Sequence, residues 1–171
     1  MEEKTKGMLA ILGAVLITLL AFALSTNSSA FYSLGYLGIF LLGVISSATV
    51  ILPAPGIASL FFLGKFADPL FLGVIFGIGS GIGELTGYMA GRGGNYVIDG
   101  KNKEIEKHKK AIRKWGPLAI FFLALIPNPV FDFAGIAAGL VRMPPWQFLL
   151  SCCAGKVIKG VALAYAGFAW L

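Results

Sequence analysis

Two Pro-x-Pro triplets interrupt stretches of the chain that are otherwise apolar. The first lies in LPAPG (52–56) and the second in IPNPV (126–130). Proline supplies no backbone N–H and pushes the preceding residue out of helical geometry, so a helix is expected to break at each triplet. The apolar pieces beside the triplets, 56–64, 117–126 and 133–141, are too short to cross a bilayer.

The composition places these breaks in a membrane. Of the 171 residues, 57% are hydrophobic and 13% are charged, more apolar surface than a soluble domain of this length can bury. Broken backbone at membrane depth persists only where protein covers it or a wet cavity meets it. We therefore predict an all-α integral membrane protein with spanning helices and two re-entrant hairpins. Four prolines mark the hairpin breaks: Pro53, Pro55, Pro127 and Pro129.

The N-terminal segment is predicted to be a membrane helix followed by an outer loop, together residues 1–33. Its apolar run, 8–24, has about the minimum length for a spanning helix and is long for a signal-peptide core. A cleaved signal peptide ending at Ala30 is the alternative. The remaining residues, 34–171, form the main membrane domain.

The charge distribution predicts the orientation. Segment 92–114 carries eight Lys/Arg against three Asp/Glu, so 92–116 and the N-terminus are expected on the cytoplasmic side of a plasma (inner) membrane. The net charge of +6 then reflects topology, and nucleic acid is not an expected partner. Residues 101–115 are expected to form an amphipathic helix on the inner leaflet.

The two halves of the domain resemble each other in the spacing of Gly and Pro. Pro55 is followed by a glycine nine residues later and a proline after fourteen, whereas Pro129 has the same residues after ten and fifteen. The charges place the two hairpins on opposite faces. We therefore predict an inverted-topology repeat of 34–91 and 117–171, the arrangement of many transporters. An accidental match between Gly- and Pro-rich stretches is the alternative.

Four ionisable side chains are expected at membrane depth, where charge is costly and is usually functional. They are Glu84, Asp132, Lys156 and Lys159. Lys156 and Lys159 share a helix face and either bind an anionic headgroup or extend to the interface. Glu84 either acts in transport or is a buried structural carboxylate bonded to Tyr, Ser or Lys. Asp132 either acts there or caps the half-helix that follows it.

The glycines at 79, 83, 87 and 91 predict close helix packing. No pattern for a metal ion, a cofactor or an enzyme's nucleophile and base is present in the sequence, and we expect none of these functions.

The chain resembles the DedA family, also called the VTT or SNARE-associated domain family. GIGELTGYMAGRGG (81–94) is similar to the family signature G-[DE]-x-x-x-Y-x-x-G-[RK], which is matched by Gly83, Glu84, Tyr88, Gly91 and Arg92. Residues 121–148 resemble a second family segment at Phe122, Pro127, Ala138, Gly139, Met143 and Phe148. Together the likeness covers roughly residues 34–171.

The chain departs from the family pattern at charged positions. Ile57 stands where the family has an acid, Ala124 or Leu125 where it has one arginine, and Phe131–Asp132 near the place of a second. The resemblance implies facing re-entrant hairpins and movement of lipid between leaflets, often linked to the proton-motive force. Candidate substrate- or proton-binding residues are Glu84, Asp132, Lys156, Lys159, Asn128, Tyr88 and Arg92.

The leading functional hypothesis is a transporter of phospholipid or polyprenyl-phosphate lipid between leaflets, with membrane lipids and further copies of the chain as partners. One alternative is a proton- or ion-coupled carrier of a small solute. Another is a non-transporting scaffold that assembles through its glycine stripes.

Overall fold

The computed structural model describes Met8, Leu12 and residues 35–48, 56–97, 103–126 and 130–170. This part of the chain is helical and contains no strand. Seven helices with assigned bounds are α1 (Tyr36–Ala48), α2 (Gly56–Leu63), α3 (Pro69–Gly83), α4 (Leu85–Val97), α5 (Lys103–Leu125), α6 (Val130–Leu140) and α7 (Pro145–Trp170). The predicted all-helical class is confirmed for these residues.

Two helical stretches are long and apolar enough to cross a membrane. They are Pro69–Gly94, which joins α3 to α4 through Glu84, and Pro145–Trp170, which is α7. Helix α1 has 13 residues and is therefore about 20 Å long, too short to cross the hydrocarbon core alone.

Helix α3 begins at a cap that the local sequence specifies. The Asp68 carboxylate accepts hydrogen bonds from Leu70 N at 2.9 Å and Phe71 N at 3.0 Å, and Pro69 occupies the first helical turn. The cap supplies an acceptor for backbone N–H groups that have no partner inside the helix. Proline fits the first helical position because it has no N–H group, so no acceptor is needed there.

The packing of α3 depends on its glycines. Gly73, Gly77 and Gly81 face α7, where a Cβ would collide with Val161, Val157 and Cys153 respectively. Successive glycines along α3 contact residues progressively earlier in α7, so the two helices run antiparallel. The neighbouring stripe faces α1, where Gly79 lies against Phe40 and Gly83 against Val44. Both stripes are therefore covered within the chain.

Two further pairs of glycines allow a short helix to pack closely against one of the two long helical stretches, Pro69–Gly94 or Pro145–Trp170. A Cβ on Gly91 of α4 would overlap the carbonyl of Ile136 on α6, and one on Gly139 would overlap the carbonyl of Tyr88. In the same way, Gly167 of α7 lies against Phe61 of α2, and Gly64 lies against Ala164. In both pairs, glycine and contacted residue are three positions apart on each helix.

Helix α5 is continuous across the predicted boundary at 116/117. It runs from Lys103 to Leu125 with Pro117 inside it, so the basic and apolar segments form one rod. Proline removes one helical hydrogen bond, but Gly116 has no Cβ to clash with the ring, which lessens the steric cost. The expected separate helix on the inner leaflet is replaced by a helix shared with the second half.

Several predictions fall on residues outside the described part of the chain. These are the N-terminal helix and loop (1–33) apart from Met8 and Leu12, the triplet residues Pro53, Pro55, Pro127 and Pro129, and Asn128. Asp132 belongs to α6, but its side chain is also outside the description.

Candidate functional site

Glu84 and Lys156 meet in the interior of the helical bundle. Glu84 lies at the junction of α3 and α4, and Lys156 is in the middle of α7. Lys156 Nζ donates to Glu84 Oε1 in an ion pair, and the residues are 6% and 3% exposed. The antiparallel glycine packing of α3 on α7 brings these two side chains together, although they are 72 residues apart in sequence.

The Lys156 ammonium has two further neighbours from two other helices. It donates to Ser47 Oγ of α1 at 3.1 Å and lies 5.0 Å from the centre of the Phe131 ring of α6. A cation above an aromatic face is attracted by the electron density of the ring. One ammonium therefore connects α7 to α1, to the α3–α4 junction and to α6.

A second serine extends the polar contacts of Lys156. Ser47 Oγ and Ser80 Oγ are 2.5 Å apart. Because an ammonium group only donates, Ser47 accepts from Lys156. Ser47 and Ser80 share a further hydrogen bond in which either hydroxyl can be the donor, so the polar contacts run from α7 through α1 to α3.

This arrangement holds one positive and one negative charge, together with the two serine hydroxyls, in the interior of the bundle. Such a pair is tolerated because each charge neutralises the other, and removal of either partner leaves a costly buried charge. If the pair separates, the site presents an ammonium and two hydroxyls to an anion, and a carboxylate to a proton or a donor. An opened site of this kind would match a polar ligand that carries both an anionic group and a donor.

Tyr88 and Arg92 follow Glu84 along α4, about one and two helical turns further on. Tyr88 OH donates to the Met143 carbonyl at 2.6 Å, in the turn after α6, and accepts from Arg92 Nη1 at 2.7 Å. The Tyr88 ring stacks on Phe148 with centroids 5.1 Å apart. These contacts attach the end of α6 to α4 and to the start of α7.

The remaining predicted residues are only partly located by the structure. Lys159 is half-buried one helical turn beyond Lys156, whereas the Asp132 side chain and Asn128 lie outside the described residues. Within the described part of the chain, no group of three or more His, Cys, Asp or Glu side chains could hold a metal ion.

Sequence reasoning missed Ser47, Ser80 and Phe131. The serines could have been found because each lies on a helix that contains several small residues. Small residues let another helix approach closely, so a hydroxyl among them is placed to contact that helix. The sequence singled out Phe131 only as lying near the place of a family arginine, since its position over the ammonium follows from how α6 packs on α4.

Comparison with known proteins identifies the family. A model of the VTT domain matches residues 53–169, more than half of the chain. The chain belongs to the VTT domain family. The resemblance to the DedA, or VTT, family is thereby confirmed. Glu84 and Lys156 both lie within the matched residues, whereas Ser47 of α1 precedes them.

Curated relatives of this VTT protein are named as membrane proteins. Vacuole membrane protein KMS2 of Arabidopsis thaliana is 33% identical over 104 residues, covering 50% of this chain and 25% of the relative. Vacuole membrane protein 1 of Homo sapiens is 32% identical over 106 residues, covering 49% and 26% respectively. The chain thus spans about a quarter of these relatives' length. No solved structure matches. Composition, spanning helices and family together make this VTT protein a membrane protein.

Proposed function

We propose that this VTT protein moves lipid between the two leaflets of a membrane, with a phospholipid or a polyprenyl-phosphate lipid as substrate. The buried ion pair of Glu84 and Lys156 is the observation that carries the proposal. An ionised pair where α1, α6 and α7 meet the α3–α4 junction costs free energy that an apolar pair would not, which favours a role in transport over one in stability alone.

In the proposed mechanism, the headgroup phosphate replaces Glu84 as the partner of Lys156. The ammonium and the Ser47 and Ser80 hydroxyls donate to the phosphate oxygens, while Glu84 takes up a proton or a donor from the headgroup. Because Lys156 keeps an anionic partner throughout, the charge is never left alone in the membrane interior. Asp132, Asn128 and Lys159 are proposed to line the same path.

The architecture that we propose for transport is an inverted repeat with two re-entrant hairpins. Two observations support it. Helix α1 advances along α3 in the same direction, from Phe40 beside Gly79 to Val44 beside Gly83, so the chain returns to its starting level between Ala48 and Pro69. The matching glycine contacts of α2 with α7 and of α6 with α4 are related as two halves of a repeat would be.

Within the scaffold alternative, assembly was expected to use the glycine stripes of α3. Those stripes are covered by α7 and α1, which favours transport over assembly through them. Self-association through another surface remains compatible with the proposal, and membrane lipids are the proposed partners.

The test is transport of a fluorescent phospholipid by purified protein in liposomes, read by access of a membrane-impermeant quencher. The wild type is expected to equilibrate the probe between leaflets. Glu84→Gln combined with Lys156→Ala is expected to slow this by at least about tenfold, since a charge-assisted contact is lost. Lys114→Ala removes an exposed cation that lies over Trp115 and is the matched control.

Equal rates for the wild type and the double variant would exclude the proposed site. A pH-dependent flux of a water-soluble solute without lipid movement would instead support the small-solute carrier. A phosphate-monoester lipid and a phosphodiester lipid, tested in parallel, distinguish the two substrate types.

We propose that the protein lies in the plasma membrane with its N-terminus and residues 92–116 on the cytoplasmic side. Single cysteines introduced at Lys103 and at Phe66, in a background with Cys152 and Cys153 replaced by alanine, test it in intact cells. An impermeant thiol reagent is expected to label position 66 only. Labelling at position 103 alone would reverse the topology.

A further inference from the structure

An arginine in a left-handed conformation ends helix α6. Arg142 has a φ of 54°, and in the described part of the chain it is the only non-glycine residue with a positive φ. Its N–H donates to the Gly139 carbonyl, and the N–H of Met143 donates to the Ala138 carbonyl, each at 3.0 Å, which is a common way for a helix to end. Glycine is usual at this position because a Cβ makes the left-handed conformation costly. An exposed arginine that is kept at such a cost points to a role at the surface.

Helices α5 and α7 pack side by side in the same direction, starting from the end of the bundle where Arg142 lies. A Cβ on Gly155 of α7 would overlap the Phe121 carbonyl of α5. Nearer the start of both helices, Ile120 and Phe148 belong to one buried cluster. Earlier residues of α5 therefore lie beside earlier residues of α7, next to the turn that joins α6 to α7.

Two exposed tryptophans lie at this shared end of α5 and α7. Trp115 and Trp146 precede the glycine contact between the two helices by six and nine residues, which is about 9 and 14 Å along the helices. They are 60% and 61% exposed. One turn further along each helix, Leu118 and Leu150 are also exposed. Because tryptophan is enriched where membrane hydrocarbon meets the headgroups, Arg142 is expected at headgroup level.

The exposed charges differ between the two ends of the bundle. Among the side chains that the structure describes, those at the tryptophan end are Arg142 and Lys114, both positive. The Lys114 ammonium lies over the Trp115 ring, 5.5 Å from its centre. At the other end, level with the last turns of α7, Lys65 and Asp68 have opposite signs. An anionic group is therefore favoured at the tryptophan end only.

We propose that Arg142, Trp115 and Trp146 form a docking surface for a membrane lipid with an anionic headgroup. The guanidinium donates to the headgroup phosphate, whose oxygens match the geometry of its N–H groups. The indole rings contact the upper part of the acyl chains, and Leu118 and Leu150 continue that apolar contact towards the membrane interior. The lipid binds on the outside of the bundle, so the docking surface is separate from Glu84 and Lys156 and does not rest on lipid transport.

The test is quenching of tryptophan fluorescence by lipids with brominated acyl chains, in vesicles that contain the full chain. The chain has three tryptophans, so Trp170→Phe leaves the two at the docking surface. In this variant, brominated phosphatidylglycerol is expected to quench as a lipid that binds about fivefold more tightly than brominated phosphatidylcholine. Trp115→Phe combined with Trp146→Phe leaves only Trp170, at the opposite end of α7, where the two lipids are expected to quench equally.

Further variants in the Trp170→Phe background separate Arg142 from the general charge of this end. Arg142→Gly is expected to abolish the preference for the anionic lipid, whereas Arg142→Lys keeps the charge and most of the preference. Lys114→Ala removes a neighbouring exposed cation and is the matched control, expected to leave most of the preference. In micelles without anionic lipid, Arg142→Gly is expected to melt at or above the wild type, because glycine adopts the positive φ without strain.

Equal quenching by the two lipids in Trp170→Phe would overturn the docking surface. An equal preference for the anionic lipid at Trp170 would overturn it as well, since the attraction would then belong to the whole protein. A loss with Lys114→Ala as large as that with Arg142→Gly would refute the role of Arg142. A melting temperature of Arg142→Gly below that of the wild type would show that the arginine is kept for contacts within the fold, and would also count against the proposal.

Discussion

Glu84 and Lys156 are joined by an ion pair that is more than nine-tenths buried and that connects the middle of α7 to the junction of α3 and α4. In the sequence, each residue is an isolated charge within an apolar segment. Together they form a neutral unit whose ammonium also holds Ser47 and Phe131. Stability and the proposed transport therefore depend on the same contacts, and they can be separated by experiment.

Removing one member of the pair is expected to destabilise the protein more than removing both. Lys156→Met alone leaves the Glu84 carboxylate buried without a cation, at a cost of about 3–5 kcal/mol. Glu84→Gln together with Lys156→Met restores a neutral interior and is expected to recover most of that loss. The measurement is reversible unfolding in detergent micelles, with Lys114→Met as control. Additive losses in the double variant would contradict a direct interaction.

Alanine at the close-contact glycines is expected to push α6 away from α4 and α2 away from α7. Gly139→Ala forces a methyl group against the Tyr88 carbonyl, and Gly167→Ala forces one against the Phe61 carbonyl. Backbone cannot yield as a side chain can, so each change is expected to cost about 1–3 kcal/mol. Melting temperatures of the purified variants measure this. Gly94→Ala, which meets only a side chain, should melt at or above the wild type.

Tyr88→Phe is expected to loosen the end of α6 without disturbing its packing. The ring retains its stacking on Phe148, but the Tyr88 hydroxyl no longer donates to the Met143 carbonyl or accepts from Arg92 Nη1. The loss is expected to be about 1–3 kcal/mol for a buried group left without its partner. Tyr88→Leu, which also removes the stacking, should unfold at a still lower denaturant concentration. Equal stability of the two variants would show that the hydroxyl contributes nothing.

Asp68→Ala is expected to weaken the start of α3. Two backbone N–H groups, of Leu70 and Phe71, lose the carboxylate that caps them, at a cost of about 1 kcal/mol. Asp68→Ser keeps a capping oxygen and should retain most of the stability. Hydrogen exchange at these two amides is the local readout: it should rise in the alanine variant and stay near wild type in the serine variant.

Much of the membrane architecture follows from the order of residues along the chain. The apolar composition predicted a helical membrane protein with spanning helices, and two helical stretches of that length are present, Pro69–Gly94 and Pro145–Trp170. Glycines four residues apart predicted close packing on α3. These properties are local, because helix length, capping and the small face of a helix depend on neighbours within a few turns.

Which helix covers which glycine was decided by tertiary structure. The sequence placed Glu84 and Lys156 at membrane depth and left open which residue Glu84 would bond to, because an interaction across 72 residues depends on how α3 crosses α7. The continuity of α5 through Pro117 is a similar case, since proline predicts a break and its surroundings set the cost. Side-chain contact between distant segments is a property of the whole packing arrangement. For this reason the sequence by itself determined the helices and their small faces, and only the tertiary structure decided that one ammonium would meet a carboxylate, a hydroxyl and an aromatic ring from three other parts of the fold.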